Sequence, residues 1–261
     1  MTRGESELPF FFGHGGELFG IYHAAANPAG KAVLLCAPLG QDYIRCHRLY
    51  RQLANALAAE GIPVLRFDYY GCGDSAGSSD EVDWDRCLRD IVAAANELRS
   101  RSGAGRVVAF GARLGASLAL EAASAGGIAD VLAWDPVIDG ESYVATLDAM
   151  QDALRRDTHR FVRPRSSTDA SGQWLGSTVS PALRGRISGL RADYPTAPSL
   201  ILDSLDGSSP RNWSPLVRDE ARVRSLQPPT PWDELARLES AILSHPLVQA
   251  VVTHLREHAY A

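Results

Sequence analysis

The run Gly111-Ala112-Arg113-Leu114-Gly115 sets one long cation among small residues. It follows the apolar run Arg106-Val107-Val108-Ala109-Phe110 and opens an alanine- and leucine-rich stretch, Ala116–Ala123. Strand, Gly-x-x-x-Gly and helix in that order make a turn so tight that its flanks need small residues, and its central side chain is lifted above the sheet. Gly111, Ala112, Gly115 and Ala116 meet that demand, which predicts Arg113 at the mouth of a pocket. A guanidinium is a fixed cation with five donors and cannot serve as a nucleophile. It can clamp a carboxylate or phosphate, or stabilise an oxyanion or enolate. The start of a helix already carries positive potential, so an anion must accompany it. That anion is either a substrate or a structural aspartate, with Asp135, Asp203 and Asp206 as the candidates.

A second group of polar residues lies upstream, in Leu39-Gly40-Gln41-Asp42-Tyr43. Leu39, Gly40 and Gln41 follow a strand where backbone N–H groups can face a substrate oxygen. With Tyr43, Leu114 and Trp174 they form the expected substrate-binding set. Asp42 can act as a base or as counter-ion to Arg113, or can simply cap a helix. His47 can exchange a proton at the pocket edge, or pack locally. Cys72, Ser75 and Ser117 are alternative nucleophiles, although no partner base is identifiable for them. Asp135 ends a strand at the same edge. No metal-ligand cluster, dinucleotide glycine fingerprint or phosphate loop is present, so no cofactor is expected.

The elements that must position these residues alternate. Phe10–Phe12 and Leu18–His23 read as an antiparallel hairpin around His14-Gly15-Gly16. Strands are expected at 32–37, 63–68, 106–110, 130–134 and 199–203, with helices at 45–60, 84–100 and 116–123 between them. A glycine-rich loop, Gly71–Gly77, follows the strand at 63–68. Alternation at this spacing means βαβ units and a mainly parallel sheet with helices on both faces, an α/β fold whose ligands bind beyond the strand C-termini. Residues about 143–194 break the pattern and are expected to form an inserted cap in an otherwise single domain. A helix near 217–223, a short strand near 222–226, a helical stretch at 232–243 and a last helix at 246–258 complete the reading.

Bulk properties narrow the function classes. The 261 residues are 45% hydrophobic and 22% charged, enough for one large core, and the net charge of -5 argues against a nucleic-acid partner. No apolar run is long enough for a membrane span, and the first residues lack a signal-peptide pattern. Cys36, Cys46, Cys72 and Cys87 are widely spaced and read as free thiols, which points to the cytoplasm. The oligomeric state is open, with a homodimer as one option.

Several segments together resemble a known family. They are Ala37–Arg48, Val64–Gly77, Gly111–Ala116, Trp134–Gly140, Leu175–Pro181 and Pro228–Trp232. The chain is similar over about residues 11–255 to the α/β-hydrolase-like proteins known as exosortase A system-associated hydrolases, and to related members of biosynthetic gene clusters. That resemblance implies an α/β-hydrolase fold and an arginine at the elbow as a trait of the group; it says little about substrate. It also implies where a Ser-His-Asp triad would sit. The acid place after the penultimate strand is filled by Asp203 or Asp206. The histidine place reads Gln227-Pro228-Pro229-Thr230-Pro231, with no histidine, and His245 is the only nearby rescue candidate. Three functions follow as expectations. One is turnover of an acyl ester, thioester or related carbonyl compound, free or carrier-bound, in a biosynthetic pathway for an exopolysaccharide or secondary metabolite. It needs no covalent seryl intermediate, with Arg113 binding an anion or oxyanion and Asp42, His47, Asp135, Asp206 or His245 assisting. The second is a non-catalytic relative that binds an acyl ligand or partner protein. The third is a hydrolase with a displaced nucleophile.

Overall fold

Strands that are apolar on both faces must be covered on both, and they occupy the middle of the sheet. In the computed structural model, which describes residues 7–26, 30–157, 172–206 and 212–257, these are β3 (Lys31–Cys36), β4 (Val64–Phe67) and β5 (Arg106–Ala112). Outward on one side lie β2 (Leu18–His23) and β1 (Glu7–Phe12). On the other lie β6 (Asp130–Trp134), then β9 (Leu200–Asp203) and β10 (Val223–Ser225). The order across the sheet is β1-β2-β4-β3-β5-β6-β9-β10. The β1–β2 and β2–β4 pairs are antiparallel and the other pairs are parallel.

Helices α1 (Gln41–Ala59), α2 (Trp84–Ser102), α3 (Leu114–Ala122) and α6 (His245–Glu257) cover the sheet. Helix α1 starts earlier than its apolar periodicity predicts. Gly40, at φ 64°, turns the chain in the left-handed region that suits glycine, and Asp42 thereby falls in the first helical turn. Every residue of α3 except Glu121 is buried, so this helix lies directly under the cavity floor.

Between β6 and β9 the chain forms α4 (Gly140–Arg156), a small hairpin of β7 (Gln173–Trp174) and β8 (Ser177–Thr178), and α5 (Pro181–Ser188). Asp139 and Ser180 cap α4 and α5 through their side chains. These elements occupy the span expected for a cap, although most of its irregular stretch, and His159 with it, lies outside the described residues, as does His258.

Two helical expectations fail. Near residue 220 there is only a single 3-10 turn, Glu220–Arg222, because Val223 is already paired with Ile201 in the sheet. The stretch 232–243 holds one 3-10 turn, Leu235–Arg237. Several of the backbone groups in and just before it are spent on α1. Arg45 Nη1 and Nη2 donate to the Trp232 and Pro231 carbonyls (2.8 and 2.5 Å), Gln41 Nε2 donates to the Leu238 carbonyl (2.8 Å), and Ile242 N–H donates to the Arg45 carbonyl (2.9 Å). A segment strapped to a neighbouring helix in this way follows a path of tight turns instead of a continuous helix.

The elbow fixes how closely α3 packs. A Cβ on Gly111 would lie 2.5 Å from the Gly115 carbonyl oxygen, and one on Gly115 would run into the Cys36 and Ala37 carbonyl oxygens. Those atoms are backbone of the central sheet and cannot yield cheaply. Gly115→Ala should therefore lower stability by about 3 kcal/mol, read as a shift of the urea midpoint. Gly105→Ala, where a Cβ meets open space, is the matched control and should stay near wild type.

Candidate functional site

Arg113 sits at the elbow with φ 51° and ψ -123°, a left-handed conformation that a non-glycine residue holds only when its surroundings enforce it. Its N–H donates to the Trp134 carbonyl (2.9 Å), and its own carbonyl accepts from Ala116 and Ser117 N–H (3.1 and 3.2 Å). The side chain is 4% exposed. Two carboxylates hold it: Asp233 at 3.3 Å from Nη2 and Asp42 at 3.8 Å from Nε. The ring centroids of Tyr143 and Trp232 lie 4.9 and 5.4 Å from Cζ. Burial opposes the guanidinium charge, but Tyr143, Asp42, Asp233 and Asp135 around it outweigh that effect and raise its pKa. The cation is permanent and internally compensated. At 3.8 Å the Asp42 contact is an ion pair without a hydrogen bond, so the buried Nε has no hydrogen-bond acceptor.

Asp42 projects from the first turn of α1 between Arg113 and Arg45, the latter at 3.5 Å, and its side chain is 12% exposed. Burial pushes its carboxyl up to about 6, against the pull of both arginines and with some help from Asp233. A carboxyl that titrates near pH 6 at a cavity wall has the properties of a proton-transfer group.

Asp135 is fully buried and also has a positive φ, 45°. It accepts from Ser204 N–H (2.8 Å), Ser204 Oγ (2.5 Å) and Trp232 Nε1 (2.7 Å). Burial raises its pKa in spite of these donors. Trp232 stands in the loop after β10, where a triad histidine would be expected, and its indole N–H meets Asp135 as an imidazole N–H would. An indole has no second nitrogen to take a proton, so this pair orients and cannot relay.

The cavity above this floor has a volume of about 260 Å³. Its walls come from the loop after β3 (Leu39, Gly40), from α4 (Tyr143, Leu147, Met150) and from the β7–β8 hairpin and α5. Tyr143, Leu147 and Met150 recur at helical spacing and turn one face of α4 inward. The expected substrate-binding residues Leu39, Gly40, Gln41, Tyr43, Leu114 and Trp174 all line this cavity, as do Asp42 and Asp233.

The other expectations separate. His47 is exposed on α1 and stacks edge-on against Tyr43 at 6.4 Å, outside the cavity lining. His245 is exposed at the start of α6, and Asp206 is exposed beyond β9; neither lines the cavity. Asp203 accepts from Trp213 Nε1 (2.8 Å) and Leu205 N–H (3.1 Å), so it is committed to its own loop. Arg113 therefore finds its carboxylates on α1 and in the 232–243 strap, while Asp135 touches it only through space. Cys72 lines the cavity, but burial pushes its thiol up to about 12 and keeps it protonated. Ser75 Oγ donates to the Asp68 carbonyl (2.6 Å) and accepts from Phe19 N–H (2.8 Å), while Ser117 is buried beneath the elbow. Sequence reasoning missed Asp233, Tyr143 and Ser204. Asp233 carried a usable signal, since it follows the proline-rich loop at the histidine place by two residues.

The chain belongs to the alpha/beta hydrolase family, which matches residues 28–257, and the sheet described above is the α/β-hydrolase fold, mostly parallel with eight strands. Among solved structures it is similar to a serine hydrolase without lid from Xanthomonas campestris, at 20% identity and TM-score 0.56 over 98% of this chain and 95% of that one. The bottromycin epimerase BotH, solved with bottromycin bound, is similar at 19% identity and TM-score 0.55 over 96% and 99%. A proline iminopeptidase from Mycobacterium smegmatis is similar at 16% and TM-score 0.57 over 97% and 99%. At these identities the likeness concerns the fold alone. A search of curated proteins finds no match. No helix among the described residues is long and apolar enough to cross a membrane, and none of their His, Cys, Asp and Glu groups could hold a metal ion.

The carboxyl of Asp42 should titrate near pH 6. Infrared difference spectra between wild type and Asp42→Asn should show a protonated C=O stretch that is present at pH 5 and gone by pH 7.5. A band already absent at pH 5 would contradict the environment described here.

Proposed function

We propose that this protein catalyses proton transfer on an acyl ester, thioester or related carbonyl compound, an isomerisation, elimination or cyclisation in a biosynthetic pathway rather than a hydrolysis through a covalent seryl intermediate. The observation that carries this reading is Asp42, a carboxyl raised to about 6 on the wall of an apolar cavity beside the elbow. In the proposed step Asp42, ionised, takes the proton from the carbon next to the carbonyl. The C–H electron pair moves into the carbonyl system and leaves negative charge on its oxygen. The backbone N–H groups of Leu39 and Leu114 are the proposed donors to that oxygen. Both residues line the cavity, and Leu114 heads a helix whose first amides have no intrahelical acceptor. Return of the proton to carbon, or loss of a leaving group, completes the reaction.

Arg113 has a changed role in this proposal. With Asp42 and Asp233 as its partners, it is a positioning residue that holds Asp42 and keeps part of the carboxyl population ionised. Total charge at the floor is the same before and after the transfer, which suits a buried site.

A second reading has its own observation. Asp135 and Trp232 are locked together, and Arg113 is internally compensated, as in a pocket kept for binding without turnover. Exchange of substrate protons separates the two. With S-octanoyl-N-acetylcysteamine in D2O, proton NMR should show loss of the α-CH2 signal catalysed by wild type. The rate should rise with pH through about 6, because the ionised carboxylate is the base, and Asp42→Asn should lower it at least about 100-fold. Binding of the thioester without any exchange supports the non-catalytic reading. A fluorophosphonate probe should leave the intact mass unchanged; labelling at a serine would restore the displaced-nucleophile mechanism.

A further inference from the structure

The charge of the cavity wall has a consequence for what can enter. The only charged side chains that line the cavity among the described residues are two carboxylates, Asp42 and Asp233. The guanidinium that an anionic ligand would seek, Arg113, lies beneath them at 4% exposure and is paired with both. The second buried guanidinium, Arg45, is turned to the Trp232 and Pro231 carbonyls. Each of the two guanidiniums already has a carboxylate beside it, Asp42 at 3.5 Å from Arg45 and Asp233 at 3.3 Å from Arg113. A carboxylate or phosphate ligand would bring a further negative charge into a space walled by Leu39, Leu147, Met150 and Trp174.

Resting on the reading of this cavity as an acyl site, we propose that Asp233 is a specificity-determining residue. It is an internal anion that occupies the elbow guanidinium and restricts the cavity to uncharged acyl compounds, such as esters, thioesters and amides, over free acids. Three features of Asp233 support this. It is 43% exposed, so its carboxylate is available to incoming ligands as well as to Arg113. The neighbouring carbonyls of Pro231 and Trp232 are fastened to Arg45, so it stays at a high local concentration that a free anion must overcome. It lies 3.3 Å from Arg113 Nη2, so the guanidinium already holds a counter-ion on the cavity side. The cavity, at about 260 Å³, is under twice the roughly 150 Å³ that encloses benzene, which suits a medium acyl chain or one ring with a short side group.

The test is equilibrium binding of octanamide and octanoate at pH 8 by calorimetry, with no turnover required. Wild type should bind octanamide at least about tenfold more tightly than octanoate. Asp233→Asn should strengthen octanoate binding about tenfold and leave octanamide within about twofold, because the released guanidinium becomes an anion site. Arg113→Gln added to Asp233→Asn should abolish that gain, and this pair separates a freed cation from a general change of shape. Octanoate binding to wild type as tightly as octanamide would mean that a ligand anion displaces Asp233, and would overturn the proposal. No binding of octanamide at millimolar concentration would overturn it as well. Tight octanamide binding alongside a failed exchange experiment would remove the proton-transfer reading and leave this one standing.

Discussion

The guanidinium of Arg113 is a full charge held almost out of water at the positive end of a helix, and the cavity floor is arranged around that fact. A lone cation there is untenable, so two carboxylates must come to it from separate parts of the chain. One requires α1 to start at Gly40, early enough to put Asp42 in its first turn. The other requires residues 231–242 to forgo helix formation and lie against α1, where Arg45 and Gln41 satisfy their carbonyls. Arg45 thus serves Arg113 twice, by holding the strap that carries Asp233 and by sharing Asp42.

The same constraint converts a familiar catalytic layout into a different device. In a serine hydrolase the elbow side chain, the histidine and the acid are joined so that one proton can pass along them. Here Trp232 and Asp135 keep the last link of that chain, at 2.7 Å, while the imidazole's second nitrogen is missing and the elbow holds a cation. What remains is stiff. Ser204 and Trp232 both fix Asp135, and Asp135 in turn fixes the tryptophan whose face lies against Arg113. The titratable behaviour has moved to Asp42, the one acid at the floor that combines burial, two nearby cations and a share of the cavity wall.

Much of the fold was legible because its signals are local. Continuous apolar runs such as 32–37 and 106–110 can only be strands covered on both faces, and the small residues of 111–116 admit only a tight turn between strand and helix. The neighbours of the elbow, Leu39 to Tyr43 and Leu114, were legible for the same reason, since the sheet brings strand ends to one edge. Trp174 was placed with less to go on. What escaped was non-local. The composition of residues 232–243 suits a helix, and nothing within that stretch announces that its hydrogen bonds go to Arg45 and Gln41, almost two hundred residues away. Asp233 was hidden by that misreading. Asp203 and Asp206 were overvalued because position after a strand says where a carboxylate begins, not which donors claim it; Trp213 claims Asp203, and Asp206 faces solvent.

The elbow arginine is tolerable only with its surroundings. An arginine introduced above an unmodified floor would face the helix dipole without Asp233, and a buried unpaired charge costs several kcal/mol. A carboxylate at 233 without the arginine would sit near Asp42 with only Arg45 and solvent to offset their repulsion. Trp232 without a buried acceptor would lose the partner that sets its ring plane. Each change is stabilised only in the presence of the others, so Arg113, Trp232, Asp233 and Asp42 form one coupled unit. A serine at 113 would remove the cation beside Asp42 and Asp233 without supplying a base at 232.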